Sequence, residues 1–209
     1  MALHLQVLFL LGTASLLHAA CPLVPVRADF DPSKFAGKWY QVERLETGWG
    51  STIYDQTTRC FEIKFTEVGN GSFSAVSAWK FQLGRYFLPT SMDSNFNRIS
   101  TDFPNYFRTG MIPWLPLPST TFYVLKTDYV RYAIVYSCTD LGIGLYPVEM
   151  SWIIHRKKAG FTVRRRKTIL EGLPDNGITF IDATKYKRID FDRCSDDNGQ
   201  SGNLTTMAT

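Results

Sequence analysis

Gly37-Lys38-Trp39-Tyr40 is the stretch of sequence that decides the fold we predict. Its two aromatic residues, followed by Val42, suit a pleated and half-buried strand. Gly37 has no Cβ, so another part of the chain can approach the backbone closely where the ring of Trp39 begins to pack. Asp31-Pro32, shortly before, is a signal for a turn or a helix start. Taken alone, the glycine and tryptophan also fit an ordinary core tryptophan beside a turn.

Two distant stretches extend this pattern. Thr127-Asp128-Tyr129 lies between two β-rich runs, residues 121–125 and 132–138, and therefore predicts a tight connection between neighbouring strands. Met150 to Arg156 predicts a further strand that ends in a basic residue. Because successive strand residues point to opposite faces, Trp152, Ile154 and Arg156 share one face with Met150. His155 is expected to point the other way, toward solvent.

With Gly37-x-Trp39 first, Thr127-Asp128-Tyr129 second and Arg156 third, the chain resembles the lipocalin family in the order and spacing of these elements. The stretch Lys126 to Cys138 is similar to apolipoprotein D-like members, including invertebrate relatives that bind bilins or carotenoids. The resemblance implies an all-β fold: an eight-stranded antiparallel up-and-down β-barrel, closed at one end, with a C-terminal α-helix packed outside. It also implies that Arg156 stacks over Trp39 at the closed end, a contact worth roughly 1–2 kcal/mol. The residues expected to close the barrel are Gly37, Trp39, Thr127, Asp128, Tyr129 and Arg156.

Three segments are predicted along the chain. Residues 1–20 are apolar, end in Ala19-Ala20 and are typical of a secretory signal peptide, too short to span a bilayer. A bacterial lipid-attachment site at Cys21 is the rival interpretation, which we disfavour because His18 fits it poorly. Residues 21–194 are expected to form one lipocalin domain, and the polar tail 195–209 is expected to be disordered. We therefore expect a secreted, extracellular protein.

The charge of the chain is modest and spread out. Lys and Arg number 23 against 19 Asp and Glu, a formal net charge of +4, which argues against nucleic acid as a partner. The run Arg164-Arg165-Arg166-Lys167 falls within a helix predicted over Phe161 to Leu173. It would suit nucleic acid or acidic lipid, but a solvated helix face is the interpretation we favour.

All four cysteines lie after residue 20, and an even number in a secreted chain predicts two disulfides. Their wide spacing excludes a compact zinc site, and the sequence alone allows three pairings. The resemblance implies Cys21–Cys138 and Cys60–Cys194, each contributing roughly 2–4 kcal/mol.

Catalytic residues are scarce. After residue 20 the chain has one histidine, His155, which argues against a Ser-His-Asp triad, a multi-histidine metal site and an inward haem ligand. We predict that the chain is not an enzyme and holds no metal or cofactor. A thiol-dependent isomerase, of the kind that a few lipocalins resemble, is a less favoured alternative and would need an unpaired Cys60.

Alternating apolar residues predict the ligand-facing walls. Phe61, Ile63 and Phe65 alternate with polar residues, Gly69-Asn70-Gly71 turns the chain, and residues 73–81 continue the alternation. Between Leu83 and Phe107 two strands can be placed only by counting to eight, and residues 178–181 are expected to form a last short strand. With the resemblance, the residues expected to bind ligand are Phe61, Ile63, Phe65, Ser77, Trp79, Phe122, Val124, Val135, Met150 and Trp152.

The expected cargo is a small apolar molecule such as a retinoid, sterol, fatty acid, carotenoid or bilin, carried or scavenged outside the cell. A packed core without a ligand is the alternative on the residues alone. A lipocalin-fold pigment or interaction protein that acts through its surface and assembly is the alternative function.

Two surface features complete the expectations. The sequons at Asn70 and Asn203 predict glycosylation in a secreted chain. The topology that the resemblance implies places three loops at the open mouth. Two are apolar and carry Trp114, Leu115 and Ile143, and the third carries Trp49 between two glycines. They would either fold inward and cork the barrel or form an exposed rim that contacts a membrane or lipoprotein.

Overall fold

A computed structural model describes residues 21–45, 58–84, 86–110, 119–140 and 147–189, together with Phe191 and Cys194. The predicted signal peptide, the tail sequon Asn203 and the mouth residues Trp49, Trp114, Leu115 and Ile143 lie outside the described residues. No helix within the described ranges is long and apolar enough to cross a membrane.

The strands of the described chain form an antiparallel barrel whose first strand closes it by pairing with both the second and the eighth. This confirms the predicted eight-stranded up-and-down fold. The strands are β1 (Gly37–Leu45), β2 (Thr58–Gly69), β3 (Ser72–Leu83), β4 (Tyr86–Arg98), β5 (Tyr106–Thr109), β6 (Thr120–Thr127), β7 (Tyr132–Thr139), β8 (Val148–His155) and β9 (Tyr186–Arg188). The short helix α1 (Pro32–Phe35) precedes β1, with Asp31 as its N-cap.

The region between Leu83 and Phe107, which the sequence left ambiguous, contains one long strand and one short strand. Pro89 lies inside β4, opposite Lys80 of β3. The described part of β5 pairs with β4 only at Asn97 and Arg98, away from Pro89.

The predicted last strand at residues 178–181 is wrong. Ile178 and Ile181 are buried in an irregular connection. The last short strand is instead β9, which pairs with β1 in addition to β2 and β8, with Arg188 opposite Glu43. The apolar run reflects core packing and not strand pairing. Asp182 ends it by capping a 3-10 turn at Ala183–Lys185.

The predicted helix over Phe161 to Leu173 is present as α2 (Val163–Glu171) and lies against the outside of the barrel. Ile169 and Leu170 are its buried residues. Arg166 forms an ion pair of 2.7 Å with the buried Glu43 of β1, and burial raises the pKa of Glu43 against the opposing effect of Arg166. Part of the basic run thus anchors the helix to the barrel.

His155 was expected to point toward solvent, but it is buried. It points away from the barrel interior, but the residue is only 6% exposed because Phe161 packs edge-to-face against its ring at 5.1 Å between centroids. The segment before α2 covers the outer face of β8, and alternation along one strand cannot reveal that cover.

Two disulfides, Cys21–Cys138 and Cys60–Cys194, tie the N-terminal arm and the C-terminal region to the barrel. This is the pairing that the resemblance implied. Because Cys60 is bonded, the thiol-dependent isomerase loses its nucleophile.

Candidate ligand-binding site

The closed end of the barrel is organised around Arg156 and Trp39. The guanidinium carbon of Arg156 lies 3.6 Å from the centre of the Trp39 ring, as the resemblance implied. Its nitrogens donate to the carbonyl oxygens of Lys38 at 3.0 Å, Ala36 at 2.9 Å and Tyr129 at 3.1 Å. Desolvation lowers the pKa of Arg156 from its ordinary value, which for an arginine leaves the side chain cationic. The cation is therefore fixed by a ring and by backbone dipoles.

Gly37 is required by this arrangement. Its φ is +105°, and a Cβ at this position would lie 2.9 Å from Nη1 of Arg156. The close approach that the sequence predicted beside Trp39 is thus the approach of a guanidinium. Trp39 itself is fully buried and donates from Nε1 to the carbonyl of Phe35 at 2.9 Å.

The turn Thr127-Asp128-Tyr129 supports the same closed end. Asp128 accepts from the backbone N–H of Arg131 at 2.7 Å and of Tyr132 at 3.0 Å. Burial opposes ionisation, but these bonds and the Arg131 side chain hold the pKa of Asp128 below its ordinary value. Tyr129, with φ +60°, presents its carbonyl to Arg156, and its hydroxyl accepts from the N–H of Asp31. All six residues expected to close the barrel therefore meet here.

A layer of aromatic rings fills the barrel immediately inside this end. Phe35 lies 5.2 Å from both Trp39 and Phe65 between ring centroids, and Phe73 lies 5.2 Å from Phe107. Phe96 and Phe122 follow, at 4.9 Å from each other. Phe65, Phe96 and Phe122 also line the open space beyond, so they form its floor.

Beyond the floor lies a cavity with about 770 Å³ of space free of protein atoms, including its opening to solvent. Eight of the ten residues that the sequence assigned to the ligand are in its wall. They are Phe61, Ile63, Phe65, Ser77, Phe122, Val135, Met150 and Trp152. Ile154, which alternation placed on the inner face, also lines it.

The other two assigned residues do not line the cavity. Val124 is buried below it, where its N–H donates to the carbonyl of Asn105 at 3.0 Å. Trp79 stacks on Phe61 at 6.0 Å between centroids. A bulge in β2 places Cys60 and Phe61 together opposite Trp79, and Cys60 adopts φ +59° there.

The sequence assignment missed lining residues that are mostly polar or lie on the ambiguous strands. Gln41 follows Trp39 by two residues on β1, and Ser137 follows Val135 by two on β7, so alternation from assigned residues could have found both. Met92 and Ser94 lie on β4, where no apolar alternation marks the inner face. The residues missed are Gln41, Met92, Ser94, Phe96, Thr109, Gly110, Thr120 and Ser137.

The chemical character of the wall is uniform. Among the described residues that line the cavity none carries a charge, and aromatic and aliphatic side chains dominate. Nowhere in the described ranges do three or more His, Cys, Asp or Glu side chains gather as they would to hold a metal ion. The wall can therefore enclose an apolar molecule and offer it neutral hydrogen-bonding groups.

Comparison with known proteins gives relatives over most of the chain. Apolipoprotein D of Macaca fascicularis is 28% identical over 138 residues, which are 66% of this chain and 67% of that protein. The Lazarillo protein of Schistocerca americana is 24% identical over 169 residues, or 77% of this chain and 69% of that one. Retinol-binding protein 4-A of Oncorhynchus mykiss is 24% identical over 173 residues, or 79% and 91%. No family model matches the chain.

The fold has solved counterparts. Insecticyanin from the tobacco hornworm Manduca sexta superposes with a TM-score of 0.62 at 21% identity, covering 84% of this chain and 88% of that one. At this identity the likeness concerns the fold. Together with the similarity in sequence to apolipoprotein D and the Lazarillo protein, this fold supports a lipocalin of the apolipoprotein D-like family.

Proposed function

We propose that this protein is a secreted carrier or scavenger of a small hydrophobic molecule, held in the cavity of its barrel. The observation that carries the proposal is the cavity wall, which is apolar and free of charge among its described residues and lies above a solid aromatic floor. Its relatives are binding and transport proteins and not enzymes. That agrees with the prediction of a protein without catalytic activity.

The expected affinity follows from the burial of apolar surface. Removing about 400 Å² of ligand surface from water at roughly 25 cal/mol per Å² gives on the order of 10 kcal/mol. Association costs of several kcal/mol leave a dissociation constant near micromolar or somewhat lower. The fish relative is named for retinol, so a retinoid is the first ligand to test. Sterols, fatty acids, carotenoids and bilins are further candidates.

Two measurements test this function. Organic extraction of the purified protein followed by mass spectrometry should recover a bound apolar molecule. Titration with the candidate ligands should quench the fluorescence of Trp152, which lies in the wall. If none of these ligands binds below about 100 μM, the carrier function is wrong.

Secretion is part of the proposal. We propose that residues 1–20 are removed as a signal peptide and that Asn70 carries a glycan. Asn70 is exposed at the turn between β2 and β3, where an attached sugar meets no packed surface. N-terminal sequencing of the secreted protein should begin at Cys21. Digestion with an N-glycosidase should lower the mass of wild type by more than that of Asn70→Gln. Any mass loss that remains in Asn70→Gln would come from a glycan at Asn203.

Contact with a membrane or lipoprotein is a separate proposal about the mouth loops. It rests on the apolar sequences that carry Trp49, Trp114, Leu115 and Ile143. Flotation with liposomes should carry wild type upward and should be reduced in Trp114→Ser/Leu115→Ser/Ile143→Ser. Equal and negligible flotation of both proteins would contradict the contact.

A further inference from the structure

Two tyrosine rings lie in contact on the outer face of the barrel. Tyr106 of β5 and Tyr123 of β6 stand directly opposite each other across the strand pair. Their ring centroids are 4.5 Å apart, and the ring planes differ by only 11°. Both side chains point outward, because their neighbours Phe107 and Phe122 belong to the interior core. Both are partly exposed, so a reagent in solution can reach the pair.

The phenol groups of the two rings are also close to each other. Burial and the adjacent Tyr106 hydroxyl raise the pKa of Tyr123, so Tyr123 is a neutral phenol at neutral pH. Side chains that stand opposite each other in an antiparallel pair project in the same direction from the sheet. The ring carbons beside the two hydroxyl groups, the ortho carbons, therefore lie at the same end of the stack. They are the carbons at which two tyrosyl radicals combine, and joining them requires no change of strand register.

The wall that contains the pair lacks other covalent support. Strand β5 has four residues, and its described part pairs with β4 only at Asn97 and Arg98. The two disulfides reach the barrel at Cys138 of β7 and Cys60 of β2, so neither holds β5. Because all four cysteines of the chain are bonded, no thiol of this protein competes for a tyrosyl radical.

We propose that Tyr106 and Tyr123 form a modification site, at which a peroxidase and hydrogen peroxide join the two rings into a dityrosine cross-link. Each phenol loses one electron and one proton and becomes a phenoxyl radical. A carbon–carbon bond then forms between two ortho carbons, and the hydrogens on these carbons move to the phenol oxygens. The protein loses two hydrogen atoms in total, and one peroxide molecule is reduced to two molecules of water. The cross-link holds β5 against β6.

Peptide mapping of oxidised wild type tests the cross-link. Dilute protein is treated with a plant peroxidase and hydrogen peroxide and is then digested. Trypsin separates residues 99–108 from residues 109–126, and each of these peptides contains a single tyrosine. In oxidised wild type they should appear as one linked species, lighter by two hydrogens than their sum and with the blue fluorescence of dityrosine. The chain should remain monomeric on a denaturing gel.

Conservative variants identify the two partners. Tyr106→Phe and Tyr123→Phe each keep an aromatic ring and remove one phenol, so either should abolish the linked peptides. Tyr136→Phe is the control, because the ring of Tyr136 lies 6.1 Å from that of Tyr123 and is tilted by 34°. It should leave the yield of the link unchanged. Amide hydrogens of β5 should exchange more slowly in cross-linked wild type than in oxidised Tyr106→Phe.

The outcome in wild type decides the proposal even where a variant does not fold. N-acetyltyrosine, treated in parallel, shows that the oxidant is active. If an active oxidant gives no link between the two peptides, or links only separate chains, the two rings are a packing contact and the inference is overturned. A link from Tyr123 to Tyr136 would overturn it as well. Unchanged amide exchange would contradict the role of the link in holding β5.

Discussion

The closed end and the cavity are built from the same alternating strands, yet one is solid and the other is open. At the closed end, Phe35, Trp39 and Phe107 are fully buried and pack ring against ring. In the cavity, the inward positions on β3 and β7 are occupied by the small side chains of Ser77 and Ser137, which leave space. The comparison shows that side-chain volume at inward positions, and not the strand pattern, decides where a barrel is filled and where it can hold a ligand.

The largest effect is expected from opening the solid end. Trp39→Ala removes a fully buried ring together with the surface on which Arg156 stacks. It should lower the free energy of unfolding by about 3–5 kcal/mol in a urea titration. A loss below about 1 kcal/mol would contradict the claim that the closed end stabilises the barrel.

A smaller loss is expected from crowding the same end. Gly37→Ala places a methyl group 2.9 Å from Arg156 Nη1 at a φ of +105°. The expected cost is about 1–3 kcal/mol of unfolding free energy. Gly69→Ala is a matched control, because its φ is +101° but nothing lies within 4 Å of the added Cβ. Equal losses in the two variants would show that backbone strain, and not Arg156, explains the need for Gly37.

A substitution in the cavity wall should lower ligand affinity and leave the free energy of unfolding almost unchanged. Trp152 is only partly buried and borders the open space, so Trp152→Ala should change unfolding little. Ligand affinity should fall roughly tenfold or more, because an apolar ring against the ligand contributes on the order of 1.5–3 kcal/mol. Isothermal titration calorimetry with the extracted ligand measures this. Unchanged affinity would place the ligand elsewhere.

The smallest effect concerns pH. The pKa of Asp128 is lowered in the folded state, so its contribution to stability is present above the ordinary value of 3.8 and is lost as the pH falls through the folded value. Glu43, whose pKa burial raises, has the opposite sign and favours the folded state at low pH. Urea unfolding between pH 5 and pH 2 should therefore show a smaller acid loss in Asp128→Asn than in wild type. An equal loss would assign the acid sensitivity to other carboxyls.

The sequence was most informative about the closed end, where each role depends on a few residues with special chemistry. Gly37, Trp39 and Arg156 could be identified because their order and spacing, together with Thr127-Asp128-Tyr129, resemble a family signature; taken alone, the glycine and tryptophan fit an ordinary core. Except at Ser77, the cavity was predicted only where its wall is apolar. Trp79 shares a face of β3 with Ser77 but stacks on Phe61 and does not line the cavity. The inner face of β4 escaped notice because Ser94 resembles a surface residue.

The covering of the barrel was harder to predict, because it depends on contacts between distant segments. His155 points outward as alternation required, but Phe161 covers it. The residues around Ile178 resemble a strand in their composition, whereas their burial comes from packing near α2.

Filling the cavity tests the central claim most directly. Ser137 is 3% exposed and lines the cavity, so Ser137→Phe should occupy ligand space without altering the closed end. We expect wild type to bind one molecule of apolar ligand per chain and Ser137→Phe to bind none while remaining folded by circular dichroism. Unchanged stoichiometry and affinity in a folded Ser137→Phe would contradict the claim that the ligand lies inside the barrel.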